Sequence, residues 1–284
     1  MIEIIFTVHG LSLIDGQHKT NKLIKRVYRL FFKLAFRKLD HFVFVSKNNF
    51  NFAKKIALLS GGLFKKASTI YNGLDFPVDY FYSRDKAKEL LKSKLQNDNK
   101  EISVDLLNDF FNHESFIYGS IGRLAYPKNY EFLISSFKDL KKEIPGIKLL
   151  IIGEGPEKTK YQQMIKAYDL VNDIILLGEL KEASRFLKVF NLFVLPSVFE
   201  GLSLSLIEAN LAQVPSLASL VGGNEEIVGS DFCFNFNDLV EFIAKAKKIF
   251  KNERLGTDCE KNKVGGELFS AKRMSQEYLD LYLR

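Results

Sequence analysis

The sequence predicts an α/β protein of two domains, each built around a parallel sheet. Apolar runs of strand length alternate with helical patterns from end to end, the mark of repeated βα units. At 284 residues the chain exceeds the usual size of one such domain. Between Phe76 and about His113 it turns charged and carries Gln96-Asn97-Asp98-Asn99, so the break between domains is read there.

In the first domain, residues 1–75, the run 2–8 reads as a buried strand, 20–39 as a helix and 42–45 as a second strand. Ser46 is suited to cap a helix over 47–58, residues 69–71 form a short strand, and Asn72-Gly73 signals a turn. Residues 76–113 are a connecting segment with one helix over 85–95. The second domain, 114–269, opens on a strand at 116–121. Further strands follow at 148–152, 174–177, 192–195, 216–218 and 232–236, with helices in the intervals. A terminal helix covers 270–283.

Composition narrows the class. A hydrophobic share of 46% with 26% charged residues is that of a chain that buries cores, not of a disordered one. The two cysteines, Cys233 and Cys259, make neither a disulfide framework nor a zinc spacing, which suits a reducing cytoplasm. No apolar run approaches the ~18 residues of a membrane span, and the N-terminus has no signal-peptide pattern. The net charge of +7 suits an anionic partner: nucleic acid, membrane or phosphorylated small molecule.

The chemistry concentrates at Phe193-Val-Leu-Pro-Ser-Val-Phe-Glu200-Gly201-Leu202-Ser203-Leu-Ser-Leu-Ile-Glu208-Ala. A buried strand ends at Pro196, a loop follows, and a helix begins near Ser203. Glu200 then sits at the carboxyl end of a strand, where open α/β sheets bind ligands. Glu208 sits one to two turns into the helix, and the free N–H groups at the helix start make an anion site between them. A carboxylate that accepts two hydrogen bonds clamps vicinal ribose hydroxyls. As isolated carboxylates both also read as solvated residues at a helix start.

This stretch resembles the EGxxxxxxE signature of retaining, GT-B-fold glycosyltransferases, in particular the large GT4-like group. Four more segments agree in order and approximate spacing: Ile121-Gly122-Arg123-Leu124 with Lys128; Leu149-Leu-Ile-Ile-Gly153-Glu-Gly155-Pro156; Leu177-Gly178; and Gly222-Gly223-Asn224-Glu225. The resemblance covers about Phe116 to Arg284. It implies two Rossmann-like domains facing a cleft, with the N-terminal one shortened, and a nucleotide-sugar donor held by the second. It assigns Arg123 and Lys128 to the donor diphosphate, whose charge a guanidinium fork and an ammonium match. Gly122 admits close backbone approach, Glu208 binds the ribose, Glu200 faces the donor sugar, and Gly178 to Leu180 contact the base. Gly201, Leu202 and Ser203 complete the donor loop. In the first domain Thr7-Val8-His9-Gly10 resembles the strand end that faces the donor sugar, so His9 joins Arg123, Lys128 and Glu200 as catalytic candidates. No Asp-x-Asp triplet occurs, so cations instead of a metal are expected at the diphosphate, and no cofactor is implied. Two positions depart from the pattern: Gln213 replaces a common glycine before Val-Pro, and Asn191 a frequent aspartate.

Other readings are weighed beside this one. Gly153-Glu-Gly155-Pro156 lacks the third glycine of a dinucleotide fingerprint, and Pro156 has no N–H for a pyrophosphate. Nucleic-acid binding predicts aromatics interleaved with cations on a sheet or groove, and no such module is legible. Residues 19–39 put Leu23, Ile24, Val27, Tyr28, Leu30, Phe31, Phe32, Leu34 and Ala35 on one broad face, with Lys22, Lys25, Arg26, Arg29, Lys33 and Arg37 on the other. That is either a core helix with a basic solvated side or a helix lying on anionic lipid at the inner membrane face. The expected function is sugar transfer to a lipid-linked or polysaccharide acceptor. Its rival is a non-catalytic nucleotide-sugar-binding subunit. The chain opens directly on the His-Gly strand, so a partner chain that completes the first domain, and feeble transfer by the isolated chain, are also expected.

Overall fold

The computed structural model describes residues 4–11, 21–59, 61–98, 103–254 and 266–283. Its first sheet has strands β1 (Ile5–Val8), β2 (His41–Phe44) and β3 (Ala67–Thr69) in the order β1-β2-β3, all parallel. The second has β4 (Phe116–Ile121), β5 (Ile147–Ile152), β6 (Ile174–Gly178), β7 (Leu192–Leu195), β8 (Ser216–Ser219) and β9 (Cys233–Phe234). These pair in parallel in the order β6-β5-β4-β7-β8-β9. Counted within the domain this is 3-2-1-4-5-6, the doubly wound order whose winding reverses between β4 and β7.

The helices are α1 (Lys22–Lys38), α2 (Lys47–Lys55), α3 (Arg84–Asp98), α4 (Val104–Phe110), α5 (Tyr130–Glu143), α6 (Lys158–Ala167), α7 (Leu204–Leu211), α8 (Asn224–Val228), α9 (Leu239–Arg254) and α10 (Ala271–Tyr282). Several start where the sequence offers a cap. Ser46, Ser103 and Ser270 each accept from the N–H three residues on, at 3.2, 3.1 and 3.2 Å.

Strand alternation divides each domain's core in two. In the second sheet Ile117, Leu150 and Ile152 face one apolar layer, while Tyr118, Leu149 and Ile151 face the other. In the first sheet Phe42 and Phe44 pack with Phe36 of α1 and Ala53 of α2. Val43 packs from the opposite side with Leu281, and with Met274 and Tyr278 of the same helix, α10. The terminal helix therefore crosses back to cover the first sheet, with the Tyr278 hydroxyl 3.0 Å from Thr7 Oγ1.

Most strands lie within two residues of the expected positions. The strand expected at 69–71 lies at Ala67–Thr69, and Asn72-Gly73 forms no turn, Gly73 being packed against Ser270. Residues 1–3 and 19–20, named in the expected first strand and helix, lie outside the described residues, as does Cys259. The expected connecting segment 76–113 is structurally richer than a link. Ala87, Leu91 and Leu95 of α3, with Leu107 and Phe110 of α4, are buried in the second domain's core. The structure shows what glycine would relieve at one departure from the family pattern and what Asn191 does at the other. Gln213 takes φ 59°, the left-handed conformation that glycine adopts most easily. Asn191 Oδ1 accepts from Ile117 N at 2.9 Å, tying β7 to β4 as a carboxylate would.

Candidate functional site

The reversal between β4 and β7 separates the loops that leave their carboxyl ends. Gly122 follows β4, and the run from Pro196 to Ser203 follows β7. A cleft of about 470 Å³ lies there, walled by the second domain on one side and by His9 and Asn72 of the first on the other. Gly122, Lys128, Glu200 and Gly201 line it, followed by Leu202, Ser203 and Glu208. A smaller hollow of about 360 Å³ shares His9, Lys128, Glu200 and Gly201 and runs on to Gly10, Leu11 and Asn49. The two volumes meet at Lys128 and Glu200.

Lys128 Nζ donates to Glu200 Oε1 at 2.7 Å, and Ser197 Oγ donates to the same oxygen at 2.7 Å. Both side chains of the ion pair are largely buried, so their attraction is little screened by solvent and fixes the Glu200 carboxylate in direction. The lysine reaches this point from the turn after Ala125, and Asn129 Nδ2, bonded to Pro196 O at 3.1 Å, ties that turn to the end of β7.

Glu208 differs. Burial alone pushes its carboxyl from the usual 4.5 to about 7. No donor among the described residues satisfies it. A carboxylate facing a cleft without a hydrogen-bond donor calls for one from a ligand. Beside it α7 begins. Ser203, the N-cap residue, makes no capping bond, its Oγ lying 3.2 Å from Ser205 Oγ instead. The first N–H groups of α7 thus keep their capacity to meet an anion.

Gly201 closes the seam between domains. A Cβ there would stand 1.7 Å from His9 O, so only glycine lets the loop after β7 touch the end of β1. Gly153 serves a comparable purpose: it has φ 149°, and a Cβ would meet Gly122 O at 2.0 Å. The Gly153-Glu-Gly155 run therefore serves close backbone packing.

Not every sequence candidate reaches the cleft. Arg123 is exposed and is not among the lining residues; nor are Gly178, bonded to Gly153 N through its carbonyl at 2.9 Å, and Leu180, packed on the core. Conversely Asn72, read as a turn former, lines the cleft, and its Nδ2 lies 3.5 Å from Leu202 O. Asn49, Ser197 and Tyr71 carried no signal beyond polar residues near strand ends. Among the described residues no group of three or more His, Cys, Asp or Glu side chains is arranged to hold a metal ion. No described helix is long and apolar enough to cross a membrane.

Two parallel α/β domains that meet over a cleft at the sheet's reversal point define the GT-B class of fold. The solved structure of Anabaena Alr3699/HepE in complex with UDP shares it, with a TM-score of 0.75 at 19% identity over 99% of this chain and 72% of that one. The chain belongs to the glycosyl transferases group 1 family, whose model matches residues 108–264. An uncharacterised glycosyltransferase of Methanocaldococcus jannaschii is 34% identical over 58% of this chain and 38% of its own length. The UDP-Gal:α-D-GlcNAc-diphosphoundecaprenol α-1,3-galactosyltransferase of Escherichia coli is 24% identical over 99% of this chain and 68% of its own. This chain thus spans well under half of the first relative and about two thirds of the second.

Proposed function

We propose that this protein transfers a sugar from a nucleotide-sugar donor to a lipid-linked or polysaccharide acceptor, with retained anomeric configuration and no metal bridge at the diphosphate. The observation that carries the reading is the gathering of Lys128, Glu200 and the donor-less Glu208 around one cleft at the reversal of the sheet. Vicinal ribose hydroxyls donate to Glu208. The diphosphate lies at the start of α7 against Lys128, and the exposed Arg123 swings in to share its charge. The base extends toward Gly178 and Leu180, and the sugar toward Glu200 and His9. As the bond between the anomeric carbon and the diphosphate oxygen breaks, negative charge grows on the leaving group. Pre-set cations stabilise that charge more in the transition state than in the ground state. The acceptor oxygen bonds to the anomeric carbon, and its proton passes to the departing phosphate oxygen.

The acceptor class is supported by the diphosphoundecaprenol substrate in the name of the E. coli relative, and by α1. Leu23, Val27, Leu30 and Phe31 of that helix are each 60–66% exposed, and Ile24 and Leu34 about half. Its apolar sector is wider than the first domain covers, since Phe36 is its buried residue and Tyr28 and Phe32 are partly so. An apolar flank beside Lys22, Arg26, Arg29, Lys33 and Arg37 suits an anionic lipid surface.

The test is isotope transfer from labelled UDP-, GDP- and ADP-sugars to polyprenyl-diphosphate sugar acceptors, beside calorimetry with each nucleotide. Binding with transfer supports the proposal. Nucleotide binding without transfer to any acceptor favours a donor-binding subunit, and no binding at all refutes both.

A further inference from the structure

The Gly222-Gly223 turn after β8, and the glutamates that follow it, do not line the donor cleft. Glu226 of α8 instead reaches across to the first domain. Its Oε2 accepts from Lys47 N at 3.0 Å, its Oε1 from Asn48 N at 2.8 Å, and its Oε2 again from the Tyr71 hydroxyl at 2.7 Å. All three donors belong to the first domain. Two are the first N–H groups of α2, which have no partner within that helix and favour a carboxylate electrostatically. Ser46 Oγ takes the next N–H, that of Asn49. The third donor, Tyr71, is buried, and burial together with Glu226 holds its proton well above the ordinary tyrosine range, so it donates at any working pH. From the other side Arg273 of α10 fixes Tyr71, donating from Nη2 to its carbonyl at 3.2 Å.

This contact connects directly to the cleft. Gly223 N donates to Gly201 O at 2.8 Å, and Asn49 Nδ2 donates to the same oxygen at 3.1 Å. Gly201 is the residue that abuts His9 O. A short path of hydrogen bonds therefore runs from Glu226 through α2 and the glycine turn to Gly201, whose close contact with His9 reaches the other side of the cleft.

We infer that Glu226 is a positioning residue: its carboxylate clamps the first domain onto the second and sets the gap between His9 and Glu200. The consequence for turnover rests on the glycosyltransferase reading; the consequence for geometry does not. The donor's ribose and diphosphate meet the second domain alone, so losing the clamp spares nucleotide binding and spoils the alignment that transfer needs.

The experiment compares Glu226→Ala and Glu226→Gln with Glu225→Ala, a control at an exposed neighbour. Spin labels at Lys55→Cys on α2 and Lys166→Cys on α6, both exposed, report the interdomain distance by pulsed dipolar spectroscopy. Cys259 is replaced by serine in this background, and Cys233 is buried. The wild type and Glu225→Ala are expected to give one narrow distribution. Glu226→Ala should widen it about twofold as an open state gains population, with Glu226→Gln between them. UDP, GDP or ADP affinity should stay within about twofold while kcat falls by about tenfold or more at a nearly unchanged donor KM. Parallel losses of melting temperature, nucleotide affinity and kcat would reveal a merely structural role and overturn the inference. So would a Glu226→Ala distribution indistinguishable from wild type. If the wild type binds no nucleotide, the transferase reading fails while the distance comparison still decides the clamp.

Discussion

Glu208 is a mostly buried carboxyl to which the described residues offer no hydrogen-bond donor. A carboxyl held at about 7 in the fold and near 4.5 unfolded binds more protons when folded. Its contribution to stability is therefore fully present below about 4.5 and lost as pH rises through about 7. The loss is on the order of 3 kcal/mol. Glu208→Gln is expected to remove this part of the pH dependence and to raise the ligand-free melting temperature at about pH 8. Nucleotide reverses the sign, because ribose hydroxyls favour the charged acceptor. Affinity should therefore rise between about pH 6 and pH 8 in the wild type and stay flat in Glu208→Gln. Titration calorimetry at the two pH values checks this, and a flat wild-type profile removes Glu208 from the ribose.

Lys128 and Arg123 separate at the same scale. Lys128 is held against Glu200 at 2.7 Å, whereas Arg123 is exposed. Lys128→Ala should depress kcat by about a hundredfold or more and also free the Glu200 carboxylate to turn. Arg123→Ala should cost about tenfold, since an exposed side chain must be ordered before it helps. Steady-state kinetics with saturating acceptor distinguish them; equal losses would mean that Arg123 is already docked when donor binds.

Among the elements, α1 and α7 use their faces in opposite ways. α7 buries Leu206, Ile207 and Ala209 and offers its first turn to the cleft. α1 leaves much of its apolar sector in contact with solvent. Reversing Arg26, Arg29 and Lys33 to glutamate should abolish co-sedimentation with vesicles rich in anionic phospholipid, and salt should act the same way as it screens the attraction. Leu30→Ser with Phe31→Ser should weaken binding at every salt concentration, since apolar insertion is not screened. Wild-type protein that ignores such vesicles at low salt would reserve this face for another surface. The element scale also explains what was missed. α4 has two buried anchors in a short charged stretch, Leu107 and Phe110, too few to stand out as a periodic pattern.

For the whole molecule, the two sheets meet through backbone contacts at Gly201 and the Glu226 carboxylate, with α10 returning to brace the first sheet. A nucleotide that bridges Glu208 and Lys128 binds only the folded state. UDP, GDP or ADP at a hundred times its Kd should therefore stabilise the protein by about 2.7 kcal/mol, read as a shift in melting temperature. Transfer is expected to survive EDTA. Activity lost on chelation and restored by manganese would show that a metal, not the lysine and arginine, carries the diphosphate charge.

The sequence alone determined the αβ alternation, the positions of most strands, and the pairing of Glu200 with Glu208 across a loop-to-helix junction. Those features are local: a period of two or 3.6, a serine before a helix, a carboxylate eight positions from another. Family resemblance added the expected roles of Lys128 and Glu208, and the structure brings the two to one cleft. Tertiary structure alone decided which residues meet across long stretches of chain. That Asn72 lines the cleft instead of turning the chain, that α3 and α4 belong to the second core, and that Lys128 pairs with Glu200 each depend on packing between distant segments. The return of α10 and the reach of Glu226 are of the same kind. Each follows from burying apolar faces that no single segment can cover, and a linear pattern holds no record of which partner completes them.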